Sequence, residues 1–589
     1  MALLLIVATG FTFIYPLEHF EKRHPINDLI YEARIIHDRW LLKASTSKKL
    51  ATAVTVYSER HGGRLPPPHF GDWYRYASGS SIVDEFRQID SDLDVFWSLS
   101  PEIVRKRVQL ALSNPGVGNI TVENGHVTVS DAGHESMSMD LRELADTIKK
   151  FSRHLPDMIL PVNLNPTPRV LPLWKDTQYQ SRGYLNSMAK TLSERSESHF
   201  SAANKTIGLR PRERTAQSTT SPQTQARRYR QMQTEACPAT SRAQTSPYWD
   251  TGLFCSACVK DHSRGQLMSE WGKLLDVCSQ PDLNHLYSFS VPDLSAAPIR
   301  ELVPLFGPSK MGGFQDILIP LSSSRQDRTD DGEPFLKRKD TLLWRSAIGG
   351  EMINEQAVRG SHKLRLLHLI NKADAKDRTT MILPVPGADN QFRSVFVSVP
   401  EANRDLSFNV GIDDFSACIG QHCDVIKTFY GEVTQTEDPF QYRYVLLTDE
   451  DDGPPAKTLN MLRSHSLPFI STIFKTWYSE RLTPWLHFVP VDPRYQALHT
   501  TLLYFTGTAT KAKMNGINTY LTGRSSDGEW IARQGQRWAS EAIGAKDREI
   551  YLFRLLLEWA RLIDDRRGEI GYRRESNGEF RSDEWSRTS

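Results

Sequence analysis

The chain has almost no net charge: 72 lysines and arginines stand against 70 aspartates and glutamates in 589 residues. That balance excludes the global positive field that draws a protein to nucleic acid or another polyanion. It also lacks an apolar run of comfortable membrane-spanning length. The N-terminal stretch from Ala2 to Tyr15 has fourteen uncharged residues, whereas a helical span needs ~20. This stretch has no basic flank and no clear small-x-small cleavage site, so a signal peptide, a short signal anchor and a core segment remain open. No repeat or heptad array argues for a solenoid or coiled coil, and no Ser-His-Asp order or HExxH motif argues for a hydrolase. The sequons Asn119-Ile-Thr121 and Asn204-Lys-Thr206 favour the secretory route.

Cysteine is scarce. The six fall into two groups: Cys237, Cys255, Cys258 and Cys278, then Cys418 and Cys423. An even count on a secretory route suggests disulfides, with Cys418 and Cys423 closing a small loop. Zinc on the first four is the alternative, since FCSAC offers one C-x-x-C knuckle, but a second C-x-x-C is missing. A zinc-knuckle nucleic-acid protein would need that ligand set. A thioredoxin-like redox motif lacks a suitable flanking strand and helix.

Aromatics, by contrast, are plentiful, with 13 Trp, 19 Tyr and 25 Phe, which suit core packing and, in clefts, stacking on sugars or bases. Residues 26–60 and 82–112 show helical spacing, the latter with a helix entered through Ser-Pro-Glu. GNITVENGHVTVS (118–130) alternates as a hairpin turning at Glu-Asn-Gly, followed by a helix in RELADTIKKFSRHL and a buried strand in DMILPVNL. Residues 192–247 are rich in Ser, Thr, Arg and Gln and read as a mobile surface insertion. Its basic RPRER and RRYR lack an interleaved stacking platform for nucleic acid. Further on, YRYVLLTDEDDGPPAKTLNMLRSHSLPFIS reads strand, loop, helix, strand, the pattern that places a ligand loop at the carboxyl end of a strand. DREIYLFRLLLEWARLIDD predicts an amphipathic C-terminal helix. Alternating strands and helices in two halves predict an α/β chain of two doubly wound domains facing across a cleft. The expected divisions are an N-terminal signal anchor or signal peptide (1–20), a helical stalk (21–95), an acceptor domain (96–330), a donor domain (331–525) and a C-terminal helix with its tail (526–589).

Several segments carry a family resemblance. SPYWDTGLFCSACVKDHSRGQLMSEWGKLLDVCSQPDLNHLY, GFQDILIP, YRYVLL and LRSHSLPFISTIFKTWYSERLTPWLHFVPVD form a long ordered string, joined near the N-terminus by HPINDLI, GGRLPPPHFGDWYRYA and DEFRQID. Together they resemble the fungal capsule-associated glycosyltransferase family, which includes fungal xylosyltransferases and animal protein O-glucosyltransferases. The likeness runs from about residue 24 to 565 except near 195–235, and all six cysteines fall where the fungal branch has them. It implies a GT-B-like fold of two Rossmann-like domains. The activity implied is inverting transfer from a UDP-sugar to a glycan or protein hydroxyl, without a metal or other cofactor, in the Golgi or endoplasmic reticulum.

Inversion requires a base for the acceptor hydroxyl and cations or amides for the departing diphosphate. The resemblance assigns Arg345, in LLWRS, to the donor's phosphates, with Ser346 where glycine is usual. It assigns Asp452, Gly453, Ala456 and Lys457 to the donor loop; Lys457 keeps a positive charge without an arginine's fork, and Pro454 and Pro455 have no N–H to offer. Arg345 and Lys457 would together seat a diphosphate. Asp449-x-Asp451 reads as a solvated acidic turn. The position of the family's base is held by Pro166, which cannot accept a proton, leaving Asp157 as a weak substitute and Asn165 as a positioning group. Ser309, Lys310 and Asp316 match the acceptor side, while His487 reads as a core histidine. A degenerate relative that binds glycan, nucleotide or a partner without transfer is the alternative.

Overall fold

The computed structural model describes residues 19–20, 23–130, 138–177, 222–246, 254–287, 297–321, 330, 332–349, 358, 360–450 and 453–586, apart from short gaps at 389, 419, 432, 509–512, 515 and 576–577. The fold is mixed α/β, with parallel strands in two five-stranded sheets. The apolar run 2–15, the sequon Asn204, the insertion up to residue 221 and Asp452 lie outside the described residues. Among the described residues no helix is long and apolar enough to cross a membrane.

The first sheet contains β1 (Val117–Glu123), β2 (His126–Ser130), β3 (Met158–Asn163), β4 (Phe306–Gly307) and β5 (Ile317–Leu318), in the spatial order β2-β1-β3-β4-β5. β1 and β2 form the expected hairpin. Its turn residues Asn124 and Gly125 both have positive φ, 48° and 76°, as a two-residue Asn-Gly turn requires. Asp157 accepts a hydrogen bond from the Asn124 amide at 2.6 Å, fixing that turn to the start of β3. β3 pairs antiparallel with β1 and parallel with β4, so the parallel part of the sheet begins there.

The second sheet is parallel throughout: β6 (Lys339–Ala347), β7 (Phe408–Asp414), β8 (Tyr442–Thr448), β9 (Leu467–Ser471) and β10 (Val489–Pro490) lie in the order β7-β6-β8-β9-β10. Numbered along the chain this is 2-1-3-4-5, a doubly wound order whose direction reverses between β6 and β8. All five residues of β9 are buried, as expected of a strand covered on both faces. The antiparallel pair Arg378–Pro384 and Phe392–Ser398, extended by His19–Phe20, forms a separate three-stranded sheet.

The helix Ala545–Ile563 departs from its amphipathic expectation. It is buried on every side from Ile550 to Ile563, including Arg554, Glu558 and Arg561. Two of these charges pair within the helix. Arg554 pairs with Glu558 at 3.1 Å, and the Tyr57 hydroxyl donates to Glu558 at 3.2 Å. Arg554 also lies over the rings of Tyr57 and Trp73. Residues of the N-terminal helices Pro25–Ala44 and Leu50–Arg60 pack into the same core as this helix.

One further expectation is corrected, and that of disulfides in place of zinc is met. Residues Pro222–Ala236, assigned from composition to a mobile insertion, form a helix. Its Tyr229, Gln233 and Ala236 are buried, and Cys237 beyond it is tied to Cys278. The remaining cysteines pair as Cys255–Cys258 and Cys418–Cys423, leaving no free thiol, so the zinc knuckle is not formed.

Candidate functional site

Parallel sheets present ligands with the loops at the carboxyl ends of their strands. Here those loops converge from both sheets on one cavity of about 310 Å³, within the ~300–1,000 Å³ usual for small-molecule sites. The first sheet contributes Pro166 after β3 and Pro308 after β4; the second contributes Glu450 and residues 453–456 after β8 and 476–478 after β9. The junction between the last two long helices, at 543–545, closes one wall. Tyr478 and Trp477 give it aromatic surface, Arg463 and Arg548 give it positive charge, and Glu450 is its carboxylate.

The two expected halves of the chemistry, the loop of the missing base and the donor loop, touch here. A methyl group placed on Gly453 would come within 2.9 Å of the Pro166 ring, so the residue at 453 has to be small. The donor loop is closed on itself by the Glu450 amide donating to the Gly453 carbonyl at 2.9 Å. Pro166 is held from the other side, its carbonyl accepting from the Ser309 hydroxyl at 2.6 Å. Asp316 supports the same segment by accepting from the amides of Arg169 at 3.0 Å and Val170 at 2.9 Å. Burial raises the Asp316 pKa to about 6, opposed by those two amides and by the charges of Lys310 and Arg169. Ser309 and Asp316 are therefore positioning groups for residues 166–170, and neither lines the cavity. Lys310 is buried against Asp92.

Asp449, expected in a solvated turn, is wholly buried at the end of β8. The aspartate directly follows the strand, and one oxygen accepts from the Ile473 amide at 2.9 Å, so the chain turns it inward. Its carbonyl accepts from His362 Nε2 at 3.0 Å. Burial raises its pKa to about 8, against the opposing effects of the Thr472, Ile473 and Tyr287 donors, while Glu450 pushes it further up. Asp449 therefore brings little negative charge to the cavity. Only Glu450 among the loop's described acids lines it.

Arg345 lies elsewhere. Its Nη1 donates to the carbonyls of Trp344 and Asn409, its Nη2 to the Asn409 side chain at 2.7 Å, and its Nε to the Gln435 carbonyl at 3.0 Å. Those acceptors lie on β6, on β7 and at Gln435, and neither Arg345 nor the exposed Lys457 lines the cavity. The arginines that do line it, Arg463 and Arg548, donate respectively to the Ile543 carbonyl at 3.2 Å and to Glu143 at 2.8 Å. Neither was singled out from sequence; Arg463 falls within the quoted LRSHSLPF string, but Arg548 has no local signal. Asn165 follows β3, its amide donating to Asn163 Oδ1 at 3.1 Å. His487 is buried in the turn before β10, with Nδ1 accepting from the Thr483 amide and its ring stacked on Trp538. No family model matches the chain, and no curated protein matches it.

Proposed function

We propose that the chain is a UDP-sugar-dependent glycosyltransferase of GT-B-like build, its two doubly wound halves meeting at this cavity. The observation that carries the reading is the contact between Gly453 and Pro166, which brings the loops after β8 and β3 together at the carboxyl ends of both sheets. The donor would lie against residues 453–456, with Arg463 and Arg548 offsetting charge on the departing UDP. Glu450 is the carboxylate available to take the proton of a glycan or protein hydroxyl, the role that Pro166 cannot fill. No metal ion is required by this scheme. Three disulfides fit an oxidising compartment, in keeping with a Golgi or endoplasmic-reticulum location and an N-terminal membrane attachment.

The test is direct. The purified chain, incubated with a panel of UDP-sugars that includes UDP-xylose and UDP-glucose, should release UDP from at least one. Glu450→Gln should lower that rate by about 100- to 10,000-fold, the usual effect of removing a positioned base. A folded protein that is silent across the panel would remove the transferase assignment. The proline at 166 favours a second reading, a binder of nucleotide or glycan that does not turn over. Calorimetric UDP binding without product would select it, and Pro166→Asp, which restores a carboxylate beside the loop, should then create measurable transfer.

A further inference from the structure

Away from the cavity, two segments remote in sequence bring three side chains to one point. Asp72, in the first turn of the helix Phe70–Tyr76, accepts from His69 Nδ1 at 2.9 Å. The same oxygen lies 3.5 Å from Nδ1 of His154, in the turn Ser152–His154. One nitrogen from each imidazole and a carboxylate oxygen lie within 4.8 Å of one another. Donors bound to zinc at ~2.0–2.1 Å in a tetrahedron stand about 3.3 Å apart. The two measured separations straddle that value.

The surroundings fix both rings. His69 caps its helix with a left-handed backbone, φ 61°, unusual for a non-glycine residue. Its amide donates to Ser582 Oγ at 2.9 Å, in the C-terminal strand pair. Trp585 packs beside the His69 ring, and its indole N–H donates to the His154 carbonyl at 3.1 Å. Phe553 stacks on His154 from the buried helix. Two arginines oppose a cation here: Arg75 donates to the other Asp72 oxygen at 2.9 Å, and Arg153 Nε donates to His154 Nε2 at 3.0 Å. Both are exposed and free to swing into water. With every cysteine in a disulfide, no thiolate competes for a soft metal.

We propose that His69, Asp72 and His154 bind a divalent transition-metal ion, zinc being the best match, with water completing the shell. Two imidazoles and one carboxylate are the borderline donors zinc prefers, and three protein ligands leave a fourth position open. The ion joins the segments at 69–72 and 152–154 beneath the C-terminal strand pair. The site is separate from the sugar-transfer chemistry, and it stands whether or not that chemistry occurs.

The experiment uses the full chain stripped with chelator and titrated with zinc ion alone by calorimetry. One ion per chain should bind, and X-ray absorption of the loaded protein should show two imidazoles with light-atom ligands. Asp72→Asn and His154→Gln should each weaken binding by at least ~100-fold, since even partners outside the first shell are worth ~10–100-fold. Arg75→Ala, on an exposed side chain, should instead tighten it. The melting temperature of each variant without metal establishes that it folds. Undiminished affinity in both ligand variants, an unchanged or weaker Arg75→Ala, or an absorption spectrum lacking imidazole would overturn the site.

Discussion

Two aspartates support the two loops that meet at the cavity, and they differ in how their buried charge is compensated. Asp316 and Asp449 are both fully buried. Asp316, beside β5, accepts from two backbone amides and sits near the charges of Lys310 and Arg169, and its pKa rises to about 6. Asp449, beyond β8, is stabilised by the Ile473 amide and by the Thr472 and Tyr287 donors but lies near the repelling Glu450, and its pKa rises to about 8. Burial alone does not set the protonation state. The sign of the nearest charges separates the two, cations beside Asp316 and an acid beside Asp449. The first loop is therefore held mainly by hydrogen bonds to an acid that ionises above about pH 6, the second by an acid that keeps its proton through neutrality.

The largest expected effect tests the first half of that comparison. Asp316→Ala leaves the buried amides of Arg169 and Val170 without their acceptor, at a cost of about 1–3 kcal/mol each. Urea unfolding should show a loss of about 2–5 kcal/mol, whereas Asp316→Asn, which keeps an accepting oxygen, should lose less than half of that. Equal losses would mean that the carboxylate's charge, not its acceptor geometry, holds residues 166–170.

The second half is sharpened by pH. An unfolded aspartate ionises near ~3.9, so between about pH 4 and 8 folded Asp449 retains a proton that the unfolded chain has lost. Folding then binds a proton. Its contribution is present in full below about pH 4 and is lost as pH rises to 8, at up to about 1.4 kcal/mol per unit. Asp449→Asn keeps an oxygen for the Ile473 amide and removes this slope. Between pH 5 and 7 the wild type should lose about 3 kcal/mol more stability than Asp449→Asn, measured by chemical unfolding at each pH. For Asp316 the corresponding slope should flatten near pH 6, two units earlier. A pH-independent difference between Asp449→Asn and the wild type would show that Asp449 is ionised in the native state.

The sequence carried the local features and missed those that depend on long-range pairing. The Asn124-Gly125 hairpin, the Ser-Pro-Glu helix start at 100–102 and the strand–loop–helix–strand of 442–471 are written in short-range steric rules, and they form as expected. Arg345 stands at the end of a buried strand, where a free guanidinium could reach a ligand. Pairing of β6 with β7 places Asn409 beside it, and its donors are taken up there. No local pattern reveals which strand becomes that neighbour. Composition misjudged Pro222–Ala236 for a related reason. Few of its residues are apolar, but the disulfide at Cys237 and the packing of Tyr229 give the helix a partner. The candidate site was legible as two loops, at 166 and at 453–457; that they touch, at a cavity also lined by Arg463 and Arg548, was not.

That contact is the finest point of the comparison, and a mutant cycle measures it. Gly453 does not need glycine for its backbone, since it is not among the positive-φ glycines. The nearest atom to where a Cβ would stand belongs to the Pro166 ring, at 2.9 Å. A proline ring cannot rotate away, so Gly453→Ala should overpack the junction by about 1–3 kcal/mol, partly offset by the ~0.4–1 kcal/mol that replacing glycine removes from unfolded-chain entropy. Pro166→Gly deletes the obstructing ring. In that background Gly453→Ala should turn neutral or stabilising, giving a coupling of about 1 kcal/mol or more between residues almost 300 positions apart. Additive effects would mean that the loops after β3 and β8 do not meet, and the cavity would then lose the wall that joins the two sheets.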